Sequence, residues 1–392
     1  MYAKSLSASQ SCAPLVVVGA GAAGISCALA AALRGVEVYL LEKTAAIGGT
    51  VTQTLIHTLG GLFDSEGELL HQGLPAQLLE RLLQASPHTK KRRIGKTWVL
   101  DVDPARYAQV VTDWMAAISH IKILCQTTIS SINIENQTIT QLVIHSEGQT
   151  LTLQPSVLID TSGNAEVVRL INPDLVHDGM ALGGYIVQLR GIAAGTLVFP
   201  KGVALLHELR RAVTQHALPP ECASVWLDNG VYPDEIYVKF NIVVSNYQQT
   251  HMQAVAMKLL DYLRHIDGFS DARIQTHGEL GVRDGGRIQG EYCLTEADVI
   301  AGRQFEDAAC LACWPIEHWH PEKGITLQYL PSGQAYTIPL RSLKVAGFTN
   351  LWAVGKCLSA EPRAQASARV VGTCWAMGEA VGQHLAERLT WH

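Results

Sequence analysis

The run Leu15-Val16-Val17-Val18 leads directly into Gly19-Ala20-Gly21-Ala22-Ala23-Gly24, and this junction constrains the chain more than any other feature. A continuous β-branched apolar run suits a strand buried in a parallel sheet. The Ala-rich stretch Ile25 to Leu33 has high helix propensity, Gly35 offers a stop, and Val36 to Leu41 reads as a second strand ending at Glu42. Strand, Gly-x-Gly-x-x-Gly, helix, strand and acid follow in the order of a dinucleotide-binding unit, with Glu42 eighteen residues beyond Gly24. Gly19 permits the tight turn, Gly21 lets backbone approach a pyrophosphate, and Gly24 lets helix and strand pack closely. The helix start at Ala22 and Ala23 offers unpaired N–H groups to the phosphates. Glu42 can accept hydrogen bonds from both hydroxyls of an adenosine ribose and would repel a 2′-phosphate.

Lys43 follows, and then Gly48-Gly49-Thr50. A Gly-Gly pair soon after the ribose acid suits a flavin, because backbone must pass close to the far half of the dinucleotide. No second Gly-x-Gly-x-x-Gly follows a strand-like segment, so no separate NADPH domain is expected. Asp103-Pro104 starts a helix through about Ile118. Ile121 to Leu124, Ile129 to Ile134 and Ile139 to His145, separated by polar turns, read as an inserted β-meander. Val157 to Asp160 returns as a buried strand. Thr161, Ser162 and Gly163 after it either border the cofactor or form a plain strand-to-turn junction. Leu351 to Val354 is another strand, stopped by Gly355. A helix starting at Gly372-Thr373 either aims its positive end at the flavin pyrimidine carbonyl or simply covers the sheet.

Longer stretches resemble the FAD-dependent oxidoreductase family of the glutathione-reductase-like flavoprotein superfamily. Gly281 to Val299, with Arg283 and Arg287, is similar to that family's Arg-rich strand and following helix. Trp314-Pro315-Ile316-Glu317 is similar to its Tyr-Pro-Ile-Asp segment. Ile338 to Leu343 and Gly355 to Ala360 resemble the stretch before its closing loop. The chain departs where the family often has paired arginines, reading Asp284-Gly285-Gly286-Arg287, and where it usually has Asp-x-His, reading Glu317-His318-Trp319. The resemblance implies FAD, redox chemistry and a middle domain roofing the flavin. The expected fold class is α/β: a Rossmann-type FAD-binding domain with an inserted β-meander (residues 1–171 and 337–392), plus a mixed α+β substrate domain (172–336). A homodimer is expected only by analogy.

Among candidates for chemistry, His57 lies eight residues beyond Gly49. It could take a substrate proton as hydride passes to flavin N5, attach the flavin covalently, or be structural. Arg283 and Arg287 could clamp a substrate carboxylate or form ion pairs, and the loop arginines Arg363 and Arg369 divide the same way. Glu317 and His318 could face the substrate; His318 and His320 lack further ligand-spaced partners, so no metal is expected. Cys310-x-x-Cys313 reads as buried thiols rather than a redox pair, and Lys90-Lys91-Arg92-Arg93 as a solvated loop. The nine cysteines are an odd number, the net charge is −5, and no stretch of about 18 apolar residues occurs. A cytoplasmic protein without nucleic-acid or membrane partners is therefore expected. The leading reading is oxidation of a small organic substrate by FAD, with oxygen or another acceptor reoxidising it. The alternatives are a flavin-dependent monooxygenase and a non-catalytic flavoprotein partner.

Overall fold

Alternate side chains of the first strand, Leu15–Val18, feed two different cores, which is why the run is apolar throughout. Leu15 and Val17 join a cluster with Leu29 and Met377 of the helical layer. Val16 joins Ile139, Leu142 and Ile144 on the other face. In this computed structural model, which describes residues 13–179, 182–320 and 324–390, the strand is the centre of a five-stranded parallel sheet. The spatial order is Leu351–Ala353, Val157–Asp160, Leu15–Val18, Val38–Leu41, Ile121–Leu124. Ile121–Leu124 is thus the sheet's parallel edge, not the first strand of a meander. The antiparallel three-stranded sheet that covers the second face is Thr128–Glu135, Thr138–Ser146 and Gln149–Leu153.

The helix Ala22–Ala32 is buried from Ala23 to Ala32, sandwiched between the sheet and the long helix Val371–Thr390. A sequence this small and apolar all round can only be an inner helix. A Cβ on Gly378 would stand 2.2 Å from the Ala23 carbonyl oxygen, and one on Gly382 would stand 2.4 Å from that of Cys27. The two helices therefore touch backbone to backbone, and Ser26 Oγ donates across the seam to the Trp375 carbonyl at 2.6 Å. Trp375 in turn stacks on Trp114 of the helix Pro104–Ala116 and donates through Nε1 to the Tyr107 hydroxyl. Asp103 caps that helix by accepting from the Ala105 N–H at 2.9 Å.

A second, antiparallel sheet has the order Trp226–Asn229, Ile236–Val243, Leu182–Arg190, Arg273–His277, with Gly281–Val282 also on the third of these. Helices Lys201–Thr214 and Gln249–Leu263 share its own apolar cluster, which includes Leu209, Leu259, Tyr185 and Phe240. Leu294, Val299, Ile316, Tyr336 and Ile338 pack instead in the first cluster with Trp375. The boundary expected at residue 336 therefore does not coincide with a change of core.

Charged side chains join the layers. Lys90–Ile94 is a strand rather than a loop, paired with Thr97–Asp101. Arg92 reaches Asp101 at 2.6 Å and Asp228 of the second sheet at 3.1 Å. Lys239 lies 3.3 Å from the same Asp228 carboxylate. Burial alone would push the Asp228 carboxyl up, but Lys239, His57 and Arg92 hold it far below the usual carboxylate range.

Two outcomes follow from this packing. Gly378→Ala gains helix propensity worth about 1 kcal/mol, yet forcing the helices apart should leave a net loss of ~2 kcal/mol in urea denaturation; an unchanged midpoint would show that the seam is slack. Asp228→Asn takes the carboxylate from Lys239 and leaves Arg92 with Asp101 alone, and should cost about 3 kcal/mol at pH 7. Because the folded-state carboxyl titrates below the unfolded one, this stabilisation is complete above the unfolded pKa of about 3.9 and drains away as pH falls beneath it. The difference between wild type and variant should accordingly shrink in denaturation at pH 3.

Candidate functional site

A cavity of about 480 Å³ opens beyond the carboxyl ends of the parallel strands, bordered by Val18, Leu41, Thr161 and Val354. This is where an open α/β sheet leaves a crevice. Its walls include Gly19, Gly21, Ala22, Ala23, Glu42, Lys43, Gly49, Thr50, Thr161, Ser162, Gly163 and Gly355.

Gly19 takes φ +108°, and a Cβ there would lie 2.6 Å from the Thr161 carbonyl oxygen. Thr161 locks this turn by donating through Oγ1 to the carbonyls of Val18 at 2.9 Å and Gly19 at 2.6 Å. The following helix begins at Ala22 without any side-chain cap, so its first N–H groups face the cavity unpaired. A Cβ on Gly21 would meet nothing closer than Gly49 Cα at 3.9 Å, so its open side belongs to the cavity. Glu42 is held by the Ala20 N–H at 2.8 Å on Oε2 and by Thr44, through N–H and Oγ1, at 2.9 Å on Oε1. One acceptor position remains, on Oε2, where the sequence suggested room for two ribose hydroxyls. Uncapped helix start, open glycine and spare carboxylate lone pair fit an extended adenine dinucleotide. Lys43 and Glu166, 2.7 Å apart, stand beside Glu42 at the same rim.

Other expected cofactor residues stand outside the lining. Gly24 serves packing: a Cβ would lie 1.9 Å from the Gly19 carbonyl oxygen. Gly48, at φ +113°, faces the Thr52 side chain. Gly372 packs on the Gly61–Leu62 backbone and donates its N–H to the Gly60 carbonyl at 2.8 Å, so this N–H is not free for a flavin carbonyl. Thr373 is fully buried, with an Oγ1 that has no partner.

The expected catalytic residues also separate. His57 is fully buried and does not line the cavity. It stacks on Tyr237 with centroids 3.7 Å apart, and Nε2 lies 3.2 Å from the Asn229 carbonyl and 3.5 Å from Asp228 Oδ2. Both neighbours accept, so Nε2 carries the proton; burial first, then Lys239, pushes the imidazole pKa down and keeps it neutral. It belongs to the network between the layers, and the expectation of a proton acceptor at the ring is corrected. Arg287 is buried in ion pairing with Asp284 at 3.1 Å and donates to the Ala360 carbonyl at 2.6 Å. Arg363 pairs with Glu296 at 2.7 Å. Neither borders the cavity. Glu317 and His318 sit on the hairpin strand Ile316–His320, also outside the lining. Both Glu317 oxygens are taken by indole N–H groups, from Trp319 at 2.7 Å and Trp314 at 3.2 Å. Cys310 is buried and its thiol lifted above the usual range by desolvation, while the same effect pushes Cys313 up to about 11.

Arg369 does line the cavity, and so does Lys356, which the sequence reading left without a role. Lys356 Nζ donates to Asn164 Oδ1 at 3.0 Å and to the Val282 carbonyl. Burial first, then the charge of Arg369, pushes its pKa down to about 8. Arg283 lies just behind, its guanidinium 4.2 Å from the Trp319 ring centroid. Burial and then Arg369 push it down to about 9, so it stays charged at pH 7. A signal for Lys356 existed: it follows the last parallel strand at the position where such sheets meet their ligands.

Among the described residues, no helix is long and apolar enough to cross a membrane. No protein of curated function matches the chain in sequence. Solved structures similar to it include a flavoprotein/dehydrogenase from Cytophaga hutchinsonii, at 12% identity over 97% of this chain and 79% of that one, with a TM-score of 0.50. The p-nitrophenol 4-monooxygenase of Pseudomonas putida is similar at 10% identity, 97% and 80% coverage and a TM-score of 0.48. A geranylgeranyl bacteriochlorophyll reductase-like protein of Thermoplasma acidophilum gives 12%, 96% and 78%, and 0.48. The sequence profile of the family described as FAD dependent oxidoreductase matches residues 14–181 and 206–389. With nearly the whole described fold inside that match, the chain belongs to the FAD-dependent oxidoreductase family, and its cofactor is FAD.

Proposed function

We propose that this chain oxidises a small organic substrate, with FAD extended along the cavity from Glu42 towards Lys356 and the second sheet acting as the substrate-facing module. The observation that carries this reading is the cavity's continuity: one space touches Glu42, the uncapped helix start at Gly21 to Ala23, and Arg369. In it, Glu42 holds the adenosine ribose, and the N–H groups of Ala22 and Ala23 meet the diphosphate. Gly49, Thr50, Thr161, Ser162, Gly163 and Gly355 form the walls around the middle of the dinucleotide. Bound FAD supplies two-electron redox chemistry, with N5 as the hydride acceptor.

The second sheet closes the far side. Gly278 and Gly281 lie against Thr54, where a Cβ on either would come within 3.1 Å, and Leu280, Gly281 and Val282 line the cavity. These small residues let the sheet approach the Thr50–Gln53 turn closely, excluding water from the reacting end. Residues 182–282 thereby form the substrate-facing module. The rest of the expected middle domain, which shares the first core, supports the FAD-binding one.

Purified protein should carry, or take up on reconstitution, one FAD, and anaerobic addition of its substrate should bleach the flavin band. Bleaching by NAD(P)H without substrate would instead favour the flavin-dependent monooxygenase reading. Gly21→Val fills the approach to the diphosphate and should lower FAD affinity at least a hundredfold, with the circular dichroism spectrum unchanged. A variant that stays yellow would remove the diphosphate from this turn, and a wild type that takes up no FAD would overturn the reading.

A further inference from the structure

We propose that Lys356 and Arg369 form a two-point anion subsite at the end of the cavity away from Glu42, and that the substrate carries a carboxylate that docks there. The inference rests on the FAD-dependent oxidation proposed above and names its substrate class.

The first argument is the absence of counterions. Among the described residues, no carboxylate lies within ion-pair distance of Lys356, Arg369 or Arg283, although neighbouring cations are paired, Arg287 with Asp284 and Arg363 with Glu296. Neutral groups hold all three instead. Lys356 donates to an amide and a backbone carbonyl, and Arg369 Nη2 donates to the Glu317 carbonyl at 3.3 Å. Arg283 donates to the Gly183 carbonyl at 3.0 Å and to Asn241 Oδ1 at 2.8 Å. Glu317, whose charge acts on Arg283, has its carboxylate engaged by two indole N–H groups, and Asp284, whose charge acts on Lys356, is paired with Arg287. Partly desolvated charges without a partner are costly, and such a cluster in a cavity marks a place where an anion arrives.

The second argument is rigidity. Gln365, buried on the helix Pro362–Ala368, donates to the backbone carbonyls of both Lys356 at 3.0 Å and Arg283 at 3.2 Å. A Cβ on Gly163 would come within 2.7 Å of Lys356 Cε, so that glycine makes room for the lysine stem. The cations are set before any ligand comes, which limits the entropy lost on binding. The third is chemistry. Arg369 offers a planar fork and Lys356 a point charge, while Val282, Val354 and Val371 line the space beside them. A carboxylate on an apolar body suits this combination. The competing anion, the dinucleotide's own diphosphate, already has the uncapped helix start at Gly21.

The test uses FAD-loaded protein and benzoate, with benzamide as the uncharged control. Benzoate should shift the flavin visible spectrum saturably, and benzamide should not at equal concentration. Lys356→Gln should weaken benzoate at least tenfold, Lys356→Arg should restore most of the affinity, and FAD affinity should stay within threefold throughout. Equal benzoate affinity in wild type and Lys356→Gln would overturn the proposal. So would a tenfold loss of FAD affinity with benzoate binding unmoved, which would give the lysine to the diphosphate. If the chain takes up no FAD, the oxidation reading fails separately. Calorimetry of benzoate with the same protein then decides the subsite, lysine-dependent binding supporting it and lysine-independent or absent binding overturning it.

Discussion

The close approach of the first helix to its neighbours is the constraint on which the rest of this structure depends. On one side it meets the turn at Gly19 through Gly24, and on the other it meets the C-terminal helix through Gly378 and Gly382. No side chain larger than hydrogen fits at these contacts, so backbone approach sets how closely the helix sits, with Ser26 hydrogen-bonded across the seam and the helix's apolar side chains packed in the core. Its N-terminus is the floor of the cavity. The orientation of unpaired N–H groups into the cavity therefore follows from packing between residues more than three hundred positions apart in sequence.

Local pattern carried the sequence reading a long way, and its failures share a physical cause. The Gly-x-Gly-x-x-Gly turn, the helix near 104 and the strands at 157 and 351 were legible because periodicity and punctuation are local properties. Ile121–Leu124 was misassigned because a short apolar strand looks the same whether its neighbour runs parallel or antiparallel; only pairing with Val38–Leu41 decides. The basic run at Lys90 looked like a solvated loop because only its pairing with Thr97–Asp101 makes it a strand, and one of the two acids that hold Arg92, Asp228, lies 136 residues away.

His57 shows the same limit at the site. Its spacing from Gly49 suggested reach to the flavin, but spacing does not reveal that the second sheet lies over it and places Tyr237 flat against its ring. Arg283 and Arg287, four apart, have opposite fates for a comparable reason. Arg287 finds Asp284 and becomes structural, whereas Arg283 rests on Trp319 with no acid in reach. The residues that line the cavity came through where motif and strand end coincide, at Gly21, Glu42 and Thr161, and were lost where only tertiary contact assembles them, at Asn164, Val282 and Lys356.

The two buried charge clusters make a useful contrast. Between the layers, Arg92 and Lys239 face Asp101 and Asp228, and the charges balance. At the cavity end, Lys356, Arg369 and Arg283 face carbonyls, amides and an indole, and the charges do not balance. Basic composition cannot account for this, since the chain as a whole carries a net charge of −5. An acidic protein that concentrates three cations in one low-dielectric recess focuses a positive potential there, and that potential acts on whatever anion enters the space. The same field favours electron density arriving on a neighbouring flavin. Under the proposed reading, binding an anionic substrate and accepting its electrons would draw on a single arrangement of charge, which would give the fold a reason to keep these cations unpaired.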